Sequence, residues 1–133
     1  MNRVLLDTSI YVDWLRAGYH EELVAGRRGP PALSAVVAME LLAGERLRHK
    51  RLAKWVQRFE RLGRLMVPRW ATWRLTAHVL RQLRSSGLGD SRLTNDVIIA
   101  MTARVEGMRL FTTNADDFRR IARIEPFDLD VVS

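Results

Sequence analysis

The sequence predicts an α/β protein in which a largely parallel sheet is covered by helices on both faces. Two observations carry this. Short apolar runs alternate with stretches of helical length along the whole chain. Glycine or proline marks most of the junctions between them. A third observation is the length of 133 residues, that of one ordinary domain, so 1–133 is read as a single unit. No repeat, low-complexity tract or linker interrupts it.

The elements follow in order. Val4-Leu5-Leu6 reads as a short buried strand ending in Asp7. Thr8 or Ser9 caps a helix to about Arg16, broken by Gly18. A short helix covers Glu21 to Ala25, and Gly26-Arg27-Arg28-Gly29-Pro30-Pro31 is a loop. Ala32-Leu33 is a second strand. Ser34 caps a helix from Ala35 to Ala43, with Gly44 at its stop. Arg46 to Leu62 is a strongly basic helix, with Leu47 and then Leu52, Trp55, Val56, Phe59 and Leu62 as its apolar positions. Gly63 ends it, and Leu65-Met66-Val67 is a third strand closed by Pro68. Thr72 to Ser85 is a helix with Trp73, Ala77, Leu80 and Leu83 on one face. After a loop over 86–91, Thr94 or Asn95 opens a helix to Glu106, ended by Gly107. Leu110-Phe111-Thr112 is a fourth strand, Asn114 or Asp116 starts a helix to Arg123, and Phe127 to Val132 is an edge strand.

Composition narrows the function. The chain has no cysteine, which removes disulfides and thiolate metal sites. No stretch approaches the roughly 18 apolar residues of a membrane span, and the apolar run near the N-terminus is too short for an export signal. A cytoplasmic protein without membrane contact is the expectation. The net charge of +7, from 22 basic and 15 acidic residues, suits a polyanionic partner such as nucleic acid. Lys50 and Lys54 are the only lysines, so an arginine-rich codon usage explains the same balance. Four tryptophans, Trp14, Trp55, Trp70 and Trp73, suit core packing or an interface.

In an open parallel sheet, ligands bind beyond the carboxyl ends of the strands. Acids stand at such places. Asp7 follows the first strand, where it serves either a ligand or a helix cap. Glu40 is the one charge in Ala35-Val36-Val37-Ala38-Met39-Glu40-Leu41-Leu42-Ala43, a helix apolar all round and so expected to be buried. A buried carboxylate needs a cation or an escape to the rim. Asp96 precedes the uncharged Val97-Ile98-Ile99-Ala100-Met101, in a first turn where negative charge is also favoured by the helix dipole. Asn114, Asp116 and Asp117 follow the fourth strand, and capping accounts for only one of them. Acids gathered at one end of a sheet repel one another and need cations. Oxygen ligands without cysteine point to Mg²⁺ or Mn²⁺. His20, His49 and His78 lie in none of these segments, which disfavours a histidine-rich zinc site.

Leu6-Asp7-Thr8-Ser9, Glu40-Leu41-Leu42-Ala43-Gly44, Asn95-Asp96-Val97-Ile98-Ile99-Ala100 and Thr112-Thr113-Asn114-Ala115-Asp116-Asp117-Phe118 resemble, in order, the four motifs of PIN domains. More narrowly they are similar to the VapC toxins of toxin–antitoxin pairs. The resemblance implies a three-layer α/β/α sandwich around a mostly parallel sheet and Mg²⁺- or Mn²⁺-dependent endonucleolytic cleavage of RNA. It implies Asp7, Glu40 and Asp96 as the acidic core. The fourth acid is carried to Asp117, because Asn114 is an amide here, with Asp116 as a possible substitute. Thr8, Ser9 and Asn114 would orient ligands or water. Asp7 and Asp96 are the first candidates for direct metal ligands, with Glu40 and Asp117 acting directly, through water, or on the nucleophile. An antitoxin partner and a homodimer are also implied. Some of Arg46, Arg48, His49, Lys50, Arg51, Lys54, Arg58 and Arg61 would then hold RNA phosphates, against a solvated helix face as the simpler explanation.

Other readings remain. A housekeeping RNA-processing nuclease shares the motifs, and a non-catalytic RNA- or protein-binding PIN module shares the fold. A phosphotransfer domain with a nucleophilic Asp7 fits less well. The haloacid-dehalogenase pattern wants a second Asp where Ser9 stands, and a receiver domain wants a lysine after a late strand.

Overall fold

Five short strands and seven helices alternate through the described residues of the structure, a computed structural model covering 2–44, 49–87 and 92–133, with backbone alone at 49 and 50. The order is β1 (Val4–Leu6), α1 (Thr8–Ala17), α2 (Glu21–Val24), β2 (Pro31–Ser34), α3 (Ala35–Ala43), α4 (His49–Arg61), β3 (Leu65–Met66), α5 (Trp70–Ser85), α6 (Leu93–Glu106), β4 (Arg109–Thr112), α7 (Ala115–Ile124) and β5 (Leu129–Val131). Arg46, Leu47 and Arg48, the side chains of His49 and Lys50, and 88–91 of the expected loop lie outside the described residues.

The strands form one sheet in the order β3-β2-β1-β4-β5, and all four pairings are parallel. The chain winds outward from β1 through β2 to β3, then returns to the other side of β1 for β4 and β5. Right-handed crossovers therefore put the helices after β1 and β2 on one face and those after β3 and β4 on the other. The result is the expected three-layer α/β/α sandwich. Val4, Leu5 and Leu6 of β1 and Leu110 and Phe111 of β4 are buried, as suits central strands covered on both faces. In α6, every residue from Val97 to Ala103 is buried, so this helix fills the space between its neighbours.

Three expectations about faces are corrected. The buried line of α5 is Thr72, Thr76, Val79 and Leu83, not the line through Trp73, Ala77 and Leu80. Both lines have helical spacing. The threonines put small, branched side chains against α6, where indoles would hold the two helices apart. Trp70 and Trp73 consequently stand 73% and 44% exposed, which removes core packing as their role. Leu62 continues the apolar pattern of α4 but lies past its last turn and is exposed. On α3, Met39 is 52% exposed, so that helix is not buried all round.

Candidate active site and metal centre

The strand order reverses between β1 and β4, and this switch point is where an open α/β sheet leaves a crevice at its carboxyl edge. Asp7 and Asn114 stand there, each one or two residues past its strand.

Asp7 occupies the N-cap position of α1, one residue before the expected Thr8 or Ser9, and is 4% exposed. Its side chain makes no capping bond. Instead Oδ2 accepts hydrogen bonds from Ser9 Oγ and from Thr112 Oγ1, both at 2.8 Å. Its own N–H donates to the Phe111 carbonyl at 2.9 Å, which ties the end of β1 to β4. A capping aspartate would turn to the helix amides; this one is turned toward β4.

The hydroxyls around it are themselves fixed. Ser9 Oγ accepts from the Thr113 N–H at 3.2 Å, and Thr112 Oγ1 accepts from the Asn114 N–H at 3.0 Å. Thr112 is fully buried at the end of β4. Sequence reasoning does not single it out, because a threonine closing a strand is ordinary; its hydrogen bonds with Asp7, Ser9 and Asn114 are its distinguishing mark.

Glu40 lies on α3, partly buried, and its Oε1 accepts from Thr8 Oγ1 at 2.7 Å. Thr8 thereby links the first turn of α1 to α3. Ser34 holds the start of α3, accepting from the Val36 and Val37 amides as expected. Asn114 precedes α7 and donates from Nδ2 to Asp117 Oδ2 at 3.0 Å, while Arg120 Nη1 stands 4.0 Å from Asp117 Oδ1. Asp116 is exposed, on a different side of the same turn.

Asp96 sits in the first turn of α6. Its pKa is pushed up to about 7, first by burial and then by the negative charges of Asp7, Asp117 and Glu40. The four acids from four separate elements thus share one electrostatic environment, and Asp116 does not enter it. Arg120 brings a positive charge to the edge of this group, within ion-pairing distance of Asp117.

This donor set fits a hard divalent cation: it is all oxygen and strongly negative. Among the described residues, no three carboxylate or imidazole groups are gathered tightly enough around one point to enclose an ion. Mg²⁺ is commonly held by one or two carboxylates with water completing its shell, so the looser arrangement suits it. Asp7, Glu40 and Asp117 each have hydrogen bonds on one named oxygen, which leaves the other for a cation or for water.

Of the basic residues of α4, Arg58 stands away from this site. Arg51, Lys54, Arg58 and Arg61 are exposed. Arg58 lines a cavity of about 190 Å³ with Pro31 and Arg64, at the amino ends of β2 and β3, away from the acids.

Residues 4–124 match the family described as the PIN domain. No curated protein matches the chain in sequence. Among solved structures, the fold is similar to VapBC2 from Rickettsia felis bound to a DNA fragment from its promoter, at 22% identity and TM-score 0.71, covering 99% of this chain and 100% of that one. It is similar to DNA-bound VapBC from Salmonella typhimurium at 22% identity and TM-score 0.73, covering 98% of each chain. VapBC-1 from nontypeable Haemophilus influenzae gives 20% identity and TM-score 0.70, again over 98% of each chain.

Proposed function

The chain belongs to the PIN-domain family, and from that premise we propose that it is a Mg²⁺- or Mn²⁺-dependent endoribonuclease, the toxin of a toxin–antitoxin pair. The observation that carries the reading is the shared field of Asp7, Glu40, Asp96 and Asp117 near the switch point, with Asp96 made a poor anion by burial and then by the charges of the other three. Structures of the same fold are of VapBC complexes, which supports an antitoxin partner for this chain. The net charge of +7 supports an RNA substrate. A homodimer belongs to the same proposal. No helix among the described residues is long and apolar enough to cross a membrane.

In this reading Asp7 and Asp96 hold the cation directly. When bound, a divalent cation polarises water and the scissile phosphate and stabilises charge on the leaving oxygen. Ser9 and Thr112 fix the plane of the Asp7 carboxylate, so that its second oxygen faces one direction. Thr8 does the same for Glu40, and Asn114 for Asp117, leaving each an oxygen to orient the attacking water. Neither serine nor threonine is needed as a nucleophile.

The test is cleavage of a mixed RNA panel by the purified protein with Mg²⁺, with EDTA, and with Asp7→Asn or Asp96→Asn. Cleavage that needs both the metal and the acids is the expected result. Equal cleavage by the variants would point to a contaminant and overturn the site. Binding without cleavage would support the non-catalytic module instead.

A further inference from the structure

We infer that Arg120 binds a phosphate of the RNA strand at this site, an inference that rests on the nuclease reading above. Four carboxylates repel a polyanion, and a single metal ion offsets only part of that charge. Some cation of the chain must face the strand. On α4, Arg58 lines a cavity at the opposite end of the sheet and so is not that cation. Arg120 stands on α7, three residues after Asp117.

Its geometry separates it from the structural arginines. Arg69, Arg104 and Arg109 reach their carboxylates at 2.9, 3.0 and 3.1 Å, distances of committed hydrogen bonds. Arg120 Nη1 lies 4.0 Å from Asp117 Oδ1, too far for one. Asp117 instead takes its hydrogen bond from Asn114, on the other oxygen. The guanidinium is therefore held near the acids by charge while its donors remain unspent. Its side chain is 35% exposed, open enough to meet a ligand and covered enough to stay in place. A planar fork of free N–H donors at the rim of a metal site matches two oxygens of a phosphodiester. The simpler account, a surface pair three residues apart on a helix, predicts no effect on substrate.

The two accounts separate on three readouts from wild type, Arg120→Gln, Arg120→Lys and the exposed neighbour Arg119→Gln. These are kinetics on a single-stranded RNA oligonucleotide, the salt dependence of its binding, and Mn²⁺ affinity by electron spin resonance. Arg120→Gln is expected to raise KM on the order of 10- to 100-fold, the loss of one charge-assisted contact. The slope of log affinity against log salt should fall by about 0.7, one phosphate on a single strand. Mn²⁺ affinity should hold or tighten, because a positive charge has left the acids. Arg120→Lys should recover part of the loss, and Arg119→Gln should behave as wild type. Unchanged KM and salt slope in Arg120→Gln would overturn the inference. So would a parallel loss of Mn²⁺ affinity, which would make Arg120 a support for Asp117. If wild type neither binds nor cuts RNA, the nuclease reading fails and this inference with it. An active wild type with a neutral Arg120→Gln overturns this inference alone.

Discussion

The two ends of the sheet carry charge in opposite ways. At the amino end, a cavity of about 170 Å³ is lined by Arg3, Arg28, Arg109 and Asp128. There Arg109 pairs with Asp128 at 3.1 Å, and Arg28 pairs with Asp130 at 3.6 Å while lying over the Phe111 ring. These two pairs are open to water, where such pairs contribute about 0–1 kcal/mol. At the carboxyl end four acids meet hydroxyls, one amide and a loosely placed arginine. Hydroxyls orient carboxylates but do not neutralise them. The first end sets cations beside acids; the second stores a repulsion that a cation relieves. Residual charge, rather than the number of charged residues, distinguishes the functional end.

The comparison breaks most visibly through activity. Asp7→Asn or Asp96→Asn should reduce RNA cleavage at least on the order of a hundred- to a thousand-fold. Arg109→Gln, at the other end, should leave kcat/KM unchanged. Equal losses at both ends would erase the distinction.

Thr112→Val sharpens it. The substitution keeps the shape at the end of β4 and removes one of the two donors on Asp7 Oδ2. Loss of such an orienting bond typically lowers metal affinity about 10- to 100-fold, readable as the Mg²⁺ concentration for half-maximal cleavage. Full activity at wild-type Mg²⁺ would show that Asp7 needs no orientation from β4.

Stability of the metal-free protein should depend on pH through Asp96. Its folded pKa, about 7, lies above the unfolded value near 3.8. The stability this group contributes is therefore present below pH 3.8 and lost as pH rises through about 7. In EDTA, Asp96→Asn should be more stable than wild type at pH 8, by on the order of 2 kcal/mol given the partial exposure of the group. At pH 4 the advantage should vanish. Mg²⁺ at pH 8 should raise the Tm of wild type and leave Asp96→Asn nearly unmoved. A pH-independent difference in Tm would mean that the acids do not share one field.

The smallest effect belongs to the amino end. Asp128→Asn should cost no more than about 1 kcal/mol by chemical denaturation. A larger loss would mean that those pairs are less exposed to solvent than they stand here.

Much of the fold and of the acidic cluster is legible in the amino-acid sequence. Asp7, Glu40 and Asp96 stand out because they follow, interrupt and precede apolar runs, and the alternation of strands and helices implies the layers and the carboxyl edge. The helix phase after β4 is harder to read. Asp116 and Asp117 are adjacent and chemically alike, and only the three-dimensional turn of α7 places one outward and the other beside Asp96. The buried face of α5 is rotated from the expected one, because Thr72 and Thr76 look polar in sequence while packing as small branched groups. Thr112 and Arg120 escape notice for a related reason. A threonine in a strand and one arginine among many acquire meaning only from what lies within hydrogen-bonding or ion-pairing reach.

The central claim is that the carboxyl-edge acids form one cation site. Calorimetric titration of the metal-free protein with Mn²⁺ at pH 7, in buffers of different ionisation heat, tests it most directly. The account predicts saturable binding with net proton release, because Asp96 is partly protonated beforehand, and loss of both in Asp96→Asn. Binding of equal strength in that variant, or no binding by wild type, would contradict it.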